Sequence, residues 1–367
     1  MNSHCDDMKT CGYTFDPDQW EATHDRKSPI EQTWSCPHDA MTDSELCHFH
    51  SPPAECDGAG VRTQFLKQID SPGSDPVRFI GATISHLDLS FQSLRSSDNH
   101  PIDLRHATIQ RWDSRHAIVA QPLLLSGADI GTFKASNAEF GSKLLFNRAE
   151  VGEVEATEVT FSGKVYFDRT TVDTAEFVDS DASDTISFEH VSFNSIDLQN
   201  VEFEDVSFEA ATLGPAFFNH AHADKGNFGF AEFVDVVSFQ DCQFDRVDFE
   251  EAEFHADATL RNASFTGLAD FNAVSFGDVD FHGAEFGGEA VFSDVNFETV
   301  DFTRADFDHN VHFEESTADA LSINNAKFNR TVDFTDVDVG ELSAANATFD
   351  ETFHFEDAEL TGKADFK

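Results

Sequence analysis

The sequence predicts an all-β solenoid with four short sides to each coil, preceded by a small module of different character. Three observations predict it. Large apolar residues recur every five positions over most of the chain. One step in four is six residues long instead of five. One residue type fills the slot, since the 367 residues include 40 Phe against 2 Tyr and 3 Trp.

The beat is clearest after Phe233. Large residues fall at 239, 244, 249, 254, 260, 265, 271, 276, 281, 286, 292, 297, 302, 307 and 313, and all are Phe except Leu260. Phe265, Phe286, Phe307, Phe328 and Phe349 are 21 residues apart, and each is followed six positions later by another Phe. Upstream, Phe140 with Phe146, Phe161 with Phe167, and Val119 with Leu125 keep the same beat. Two residues before each large one sits a smaller one, such as Ala138, Ala175, Ala252, Ala284 or Ala305, or else Val247, Val279, Val300 or Val311. Neither the helical period of 3.6 nor the strand period of 2.0 fits. A period of five means a short extended segment, a turn, and the same again. Two inward positions in five make 40% apolar, which is the measured fraction. Four segments per 21 residues give four sides, and the extra residue bulges at one corner.

Stretches such as Ala252-Glu253-Phe254, Ala305-Asp306-Phe307 and Ala364-Asp365-Phe366 resemble the pentapeptide-repeat family, whose motif is Ala-(Asp/Asn)-(Leu/Phe)-X-X. The resemblance implies a right-handed quadrilateral β-helix, with the large residue stacked coil on coil inside. Residues 77–367 are assigned to it. The first coil is expected near Phe79, with Ala82, Ile84, Leu89 and Leu94. About 14 coils at ~4.8 Å each would give a rod roughly 65–70 Å long. Two interruptions are expected. Residues 96–101 read as a loop ejected from a coil. Residues 213–227, with Gly214-Pro215, read as a local bulge or protruding loop, because Pro215 removes a ladder donor. Near this stretch and near Leu260 the corner carrying the extra residue shifts.

Residues 1–60 do not repeat. Five of the six cysteines, Cys5, Cys11, Cys36, Cys47 and Cys56, lie there, and Cys242 lies alone in a small-residue slot. In a cytosolic protein such clustering favours a metal over disulfides. Cys47-x-x-His50 has ligand spacing, and thiolate plus imidazole suits zinc. The candidate structural zinc set is Cys11, Cys36, Cys47 and His50, with Cys5, Cys56, His38 and His48 as substitutes. Four ligands leave no open position for catalysis. Residues 61–76 read as a short capping helix and linker, with Val61, Phe65, Leu66 and Ile69 on its apolar positions. Solenoids need such a cap. The last residues repeat without a visible cap, which predicts an end-to-end homodimer or a truncated chain.

Charge bounds the function. There are 69 acidic and 23 basic residues, net -46, with a pI near 4.3. A halophilic acidic surface and mimicry of DNA are the two readings. At ~1 M salt the Debye length falls to about 3 Å, so a decoy loses its reach. Salt adaptation is preferred. No signal peptide and no 18-residue apolar run is seen, which predicts a cytoplasmic chain without a membrane span. No catalytic motif stands out. His220 and His222 read as loop histidines. His312 and His354 read as solvated positions on one face two coils apart, and Cys242 as a buried hydrophobe. The expected function is a non-enzymatic protein-interaction scaffold with an unidentified protein partner and no nucleic acid. The alternative is a DNA-mimic modulator of a topoisomerase such as gyrase, since acidic members of the resembling family bind gyrase. A carbohydrate-acting β-helix enzyme is disfavoured by the five-residue beat.

Overall fold

A computed structural model describes residues 9–24, 26–56, 58–70, 77–95 and 99–367. The protein is an all-β solenoid of about 14 parallel-strand coils. It divides into two compact units, Met1–Val172 and Asp173–Lys367.

The first unit opens with the non-repeating module. Thr14–Phe15 and Trp34–Ser35 pair antiparallel. A one-turn helix, Pro17–Glu21, is capped by the Asp16 carboxylate, which accepts from the amides of Asp18 and Gln19. A longer helix spans Gly58–Asp70 and buries Val61, Phe65 and Ile69. These lie four residues apart, one apolar stripe of a 3.6-residue period. Phe65 stacks on Phe79 at 4.7 Å between centroids. Arg62 donates from Nε to the Asp88 carbonyl at 2.8 Å.

The coils of this unit start at Val77–Arg78 and Thr83–Asp88. Phe79, Ala82, Ile84, Leu87 and Leu89 are all buried. The step from the first coil to the second is longer than the rest, since Thr83 pairs with Thr108 and Ser93 with Ile118. The four residues beyond the 21-residue beat fall between Leu94 and Ile102. That is where the ejected loop was expected, and residues 96–98 of that expectation lie outside the described residues. From there the beat holds, with Asp129 opposite Glu150 and Leu123 opposite Leu144.

The second unit is built on stacked rings. Phe286, Phe307, Phe328 and Phe349 form a column with centroids 4.6, 4.8 and 4.9 Å apart. On one side of each coil a six-residue strand runs unbroken, as in Ser275–Asp280, Asn296–Asp301 and Thr317–Ser322. The opposite side consists of two-residue strands separated by a bend, as in Glu285–Phe286 and Ala290–Val291. The extra residue of the six-residue step sits in that bend.

The expected protrusion at 213–227 is not there. Thr212–Leu213, Ala216–Phe217 and His222–Asn227 are all strands in register with their neighbours. The coil is shorter by one residue: Ser192 pairs with Thr212 and Glu202 with His222, twenty residues on. Gly214 and Pro215 fill a two-residue bend where three residues, 234–236, stand in the next coil. Pro215 costs no ladder bond, because the flanking Gly214 and Ala216 amides donate to Phe193 and Val236. The corner shift is real. In this stretch the unbroken strands are Glu202–Ser207, His222–Asn227 and Gln243–Asp248, in the other sheet. At 264–275 they move back, with a step of 22 from Val247 to Ala269.

Corners carry a feature with no apolar signature. After a large residue, the second residue on takes a left-handed conformation, as in Asn262 (φ 53°), Ala273 (φ 57°) and Gly283 (φ 70°). The next amide then bonds back, as Ala284 does to the Phe281 carbonyl at 2.9 Å. This is the turn that needs positive φ at its third residue.

Candidate metal centre

Three segments bring four donors together. The ladder around Thr14–Phe15 sets Cys11 near Cys36: the Cys36 amide donates to the Tyr13 carbonyl at 3.0 Å, and the Cys11 amide to the His38 carbonyl at 2.8 Å. A tight turn sets Cys47 beside His50, with the amides of His50 and Ser51 both aimed at the Cys47 carbonyl. One donor atom from each of Cys11, Cys36, Cys47 and His50 lies within 4.8 Å of the others. All four residues are buried.

The donor set fits a tetrahedral ion. Zn–S bonds of about 2.3 Å put sulfurs roughly 3.8 Å apart, and a sulfur and an imidazole nitrogen roughly 3.6 Å apart. Cys36 Sγ and Cys47 Sγ are 3.8 Å apart. His50 Nδ1 lies 3.2 Å from Cys47 Sγ and 3.8 Å from Cys11 Sγ. No disulfide joins these cysteines. His50 Nε2 is already spent on the Ile80 carbonyl at 3.0 Å. That bond fixes the proton on Nε2 and leaves the Nδ1 lone pair facing the sulfurs. Tyr13 stacks on the imidazole at 3.8 Å and 7°. The Cys47 amide donates to Cys11 Sγ at 3.3 Å.

Thiol acidity follows from this crowding. The hydrogen bond from Cys36 and the nearby His50 pull Cys47 down to about 3, against burial. Sharing with Cys47 and burial push Cys36 up. Burial raises Cys11. Cys47 is thus the most acidic of the three thiols, and a divalent ion would displace the thiol protons it finds.

The substitute ligands are elsewhere. His38 bonds the Arg78 carbonyl through Nε2 at 2.9 Å and stacks on Phe79. Cys56 Sγ faces Met41 Sδ at 3.8 Å. His48 is absent from the cluster, and Cys5 lies outside the described residues.

Pentapeptide repeats, as a nine-copy family model, match residues 252–295 and 271–317. Residues 252–317 carry pentapeptide repeats. The 21-residue beat carries the same pattern well beyond the matched stretch. Among solved structures the chain is similar to HetL, a pentapeptide repeat protein involved in heterocyst differentiation regulation from the cyanobacterium Nostoc sp. That similarity has 12% identity, covers 83% of this chain and 96% of that one, and gives a TM-score of 0.21. No curated protein matches the sequence significantly.

In the pentapeptide-repeat coils the other singled-out residues are placed as follows. Cys242 is buried, donates to the Phe218 carbonyl at 2.7 Å, and is pushed up to about 12 by burial. His312 and His354 share one face, with Asp333 between them in register. His312 is clamped by Glu289 at 2.9 Å and Glu314 at 3.0 Å. His220 and His222 lie on a regular coil and not on a loop. No helix of the described residues is long and apolar enough to cross a membrane.

Sequence reasoning missed His106. Its ring stacks on Phe15 at 4.6 Å, and its Nε2 meets Ser28 Oγ at 2.9 Å. Arg26 was missed too. It donates to the Arg148 carbonyl at 2.9 Å and pairs with Asp129 at 2.7 Å. Together they clasp the module onto the coils of the first unit. An isolated His or Arg gives no such signal in sequence.

Proposed function

We propose that this protein is a non-enzymatic scaffold for protein interaction, whose N-terminal module is fixed by one structural zinc ion on Cys11, Cys36, Cys47 and His50. The observation that carries the metal reading is the gathering of four buried donors within 4.8 Å. A closed set of three sulfurs and one imidazole leaves no position for a substrate. The zinc acts on the fold: it ties the Cys11 strand, the Cys36 strand and the Cys47 turn at one point. What supports the scaffold is the fold itself, whose sides are regular ladders with polar residues outward. The module supplies the chain's non-repeating surface.

Elemental analysis of protein purified without chelator is expected to give one zinc per chain. Less than a few tenths of an equivalent overturns the zinc reading. Affinity capture in the native salt, followed by binding of the purified partner, tests the scaffold. Binding is expected to weaken when Cys47→Ser removes the metal. No partner enriched over a control solenoid overturns it.

One observation favours a second reading, the DNA-mimic modulator. Of the 69 acidic residues, 44 lie after Val172, with only 8 of the 23 basic ones. A gyrase supercoiling assay at the native salt decides it. No change at stoichiometric protein removes it.

A further inference from the structure

In the first unit, Lys143, Arg148 and Arg169 line one groove of about 550 Å³, together with one carboxylate, Asp168, and with Asn147, Tyr166 and, from the module, Pro29. The coil register builds it. Leu145 pairs with Tyr166 on adjacent strands. Arg148 and Arg169 occupy successive left-handed corners, at φ 60° and 58°. Pro29 closes one side, because Arg26 is bonded to the Arg148 carbonyl and Arg105 to the Pro29 carbonyl.

Three features mark this groove. First, its three cations converge on one space without an ion pair among the described residues, whereas other unpaired cations, such as Arg111, Arg246 and Arg304, stand singly on the coils. Second, Asp168 lines the groove beside the cations and accepts from Asn147 Nδ2 at 3.0 Å, which fixes its carboxylate there. Third, the Lys143 ammonium lies 5.0 Å from the centre of the Tyr166 ring. That contact holds the ammonium at the groove without neutralising it. Along the same ladder the second unit reverses sign: Glu289, Asp294, Glu315 and Asp336 stand where Lys143, Arg148 and Arg169 stand in the first.

We propose that this groove binds a phosphate ester of a small hydroxylated or amino-bearing molecule. The phosphate oxygens are held by Lys143, Arg148 and Arg169, whose guanidinium forks match phosphate geometry. A hydroxyl or amino group of the organic part donates to the Asp168 carboxylate, which lines the same groove. Its apolar body lies along Leu145 and Tyr166.

Titration calorimetry on the full chain tests this with AMP, glucose 6-phosphate and inorganic phosphate, and with adenosine and glucose as phosphate-free controls. At least one ester is expected to bind saturably and more tightly than inorganic phosphate, and to weaken as salt rises. AMP alone would assign a nucleotide, glucose 6-phosphate alone a sugar phosphate. Lys143→Gln with Arg169→Gln is expected to weaken binding about tenfold or more. Lys225→Gln, in the second unit, is expected to leave it unchanged, and circular dichroism checks the coils in each variant. Absence of saturable binding by both esters overturns the proposal. So does unchanged affinity in the Lys143/Arg169 variant, or equal affinity for inorganic phosphate and the esters.

Discussion

The module of residues 9–56 and the coils of the second unit hold themselves together by opposite means. The module gathers three segments at one point, where four donor atoms lie within 4.8 Å. Its apolar cluster is small: Phe15, Ile30 and Ile80 with Tyr13, Trp20 and Trp34 around them. The coils have no such point. Buried rings stack on rings of the neighbouring coils, as Phe292 does on Phe271 and Phe313, and strands pair in register from coil to coil, as Ser275–Asp280 does with Asn296–Asp301. A point centre fails as a whole when one member is lost. A ladder fails locally, because each coil answers mainly to its neighbours.

Removing the proposed zinc is the strongest way to break the module, since a structural zinc site contributes on the order of 10 kcal/mol to folding. Chelation of zinc, or Cys47→Ser, is expected to abolish the ordered signal of Tyr13 and Trp34 in near-ultraviolet dichroism. The far-ultraviolet β signal of the coils is expected to persist. Loss of both signals together would show that the coils also depend on the module.

In the coils the matching experiment removes a ring. Phe292 is fully buried and lies between Phe271 at 4.9 Å and Phe313 at 5.1 Å, with Phe302 edge-on at 5.2 Å. Phe292→Ala is expected to cost about 3–5 kcal/mol. Phe355 is 40% exposed, and Phe355→Ala is expected to cost well under half of that. Urea denaturation measures both. Equal losses would mean that the ring column is not what stabilises the coil.

The two regions were also unequally legible in sequence. A ladder writes itself repeatedly, so Phe265 to Phe349 declared the coil and its extra residue. The shift near Leu260 could be read because Phe265 and Phe271 re-establish the six-residue step. What misled was Gly214-Pro215, read as a breaker. A bend between two short strands tolerates both residues, and the coil merely drops one. The left-handed corners escaped because any residue fills them, from Arg304 to Ala273. In the module, Cys47-x-x-His50 gave a local spacing, and the other two members of the donor cluster, Cys11 and Cys36, followed from residue type. The clasp of Arg26, Ser28 and His106 left no trace, since its members are joined only by the fold. The basic groove had a faint trace in Arg148 and Arg169, which share the 21-residue beat.

Acid sharpens the contrast, because His106, on the first-unit coil that the module clasps, and His312, in the second unit, respond with opposite sign. Burial, aided by the charges of Arg105, Arg26 and His24, lowers His106 to about 3. The folded form is neutral while the unfolded chain takes a proton near 6.5. Stability at this contact is therefore present above 6.5 and lost as pH falls toward 3, by about 2 kcal/mol at pH 5. His312 is raised: burial opposes its charge, but the bonds and charges of Glu314 and Glu289 outweigh it. Its contribution is present below 6.5 and is lost as pH rises through the raised value. His106→Gln is expected to flatten the acid slope of module melting relative to wild type, zinc release being common to both proteins. An unchanged slope would mean that His106 protonates without opening the clasp.

The smallest effect separates the regions at a single atom. Gly81 (φ 66°) and Gly283 (φ 70°) occupy equivalent left-handed corners. Alanine at either pays about 1 kcal/mol for the conformation, as Ala273 already does in its own corner. At Gly283 the new Cβ would lie 2.8 Å from Asn262 Oδ1, the far end of an exposed side chain held only by a hydrogen bond to Asp241. At Gly81 it would lie 2.0 Å from the Tyr13 hydroxyl and 2.9 Å from the ring carbon bearing it. Tyr13 is stacked flat on His50, so it yields only by disturbing a member of the proposed zinc set. Gly81→Ala is therefore expected to cost about 1 kcal/mol more than Gly283→Ala, at the low end of overpacking penalties. It should also speed zinc loss to a competing chelator, which Gly283→Ala should not. Identical zinc release from the two variants would mean that the Tyr13 stack is not what couples the first coil to the metal centre.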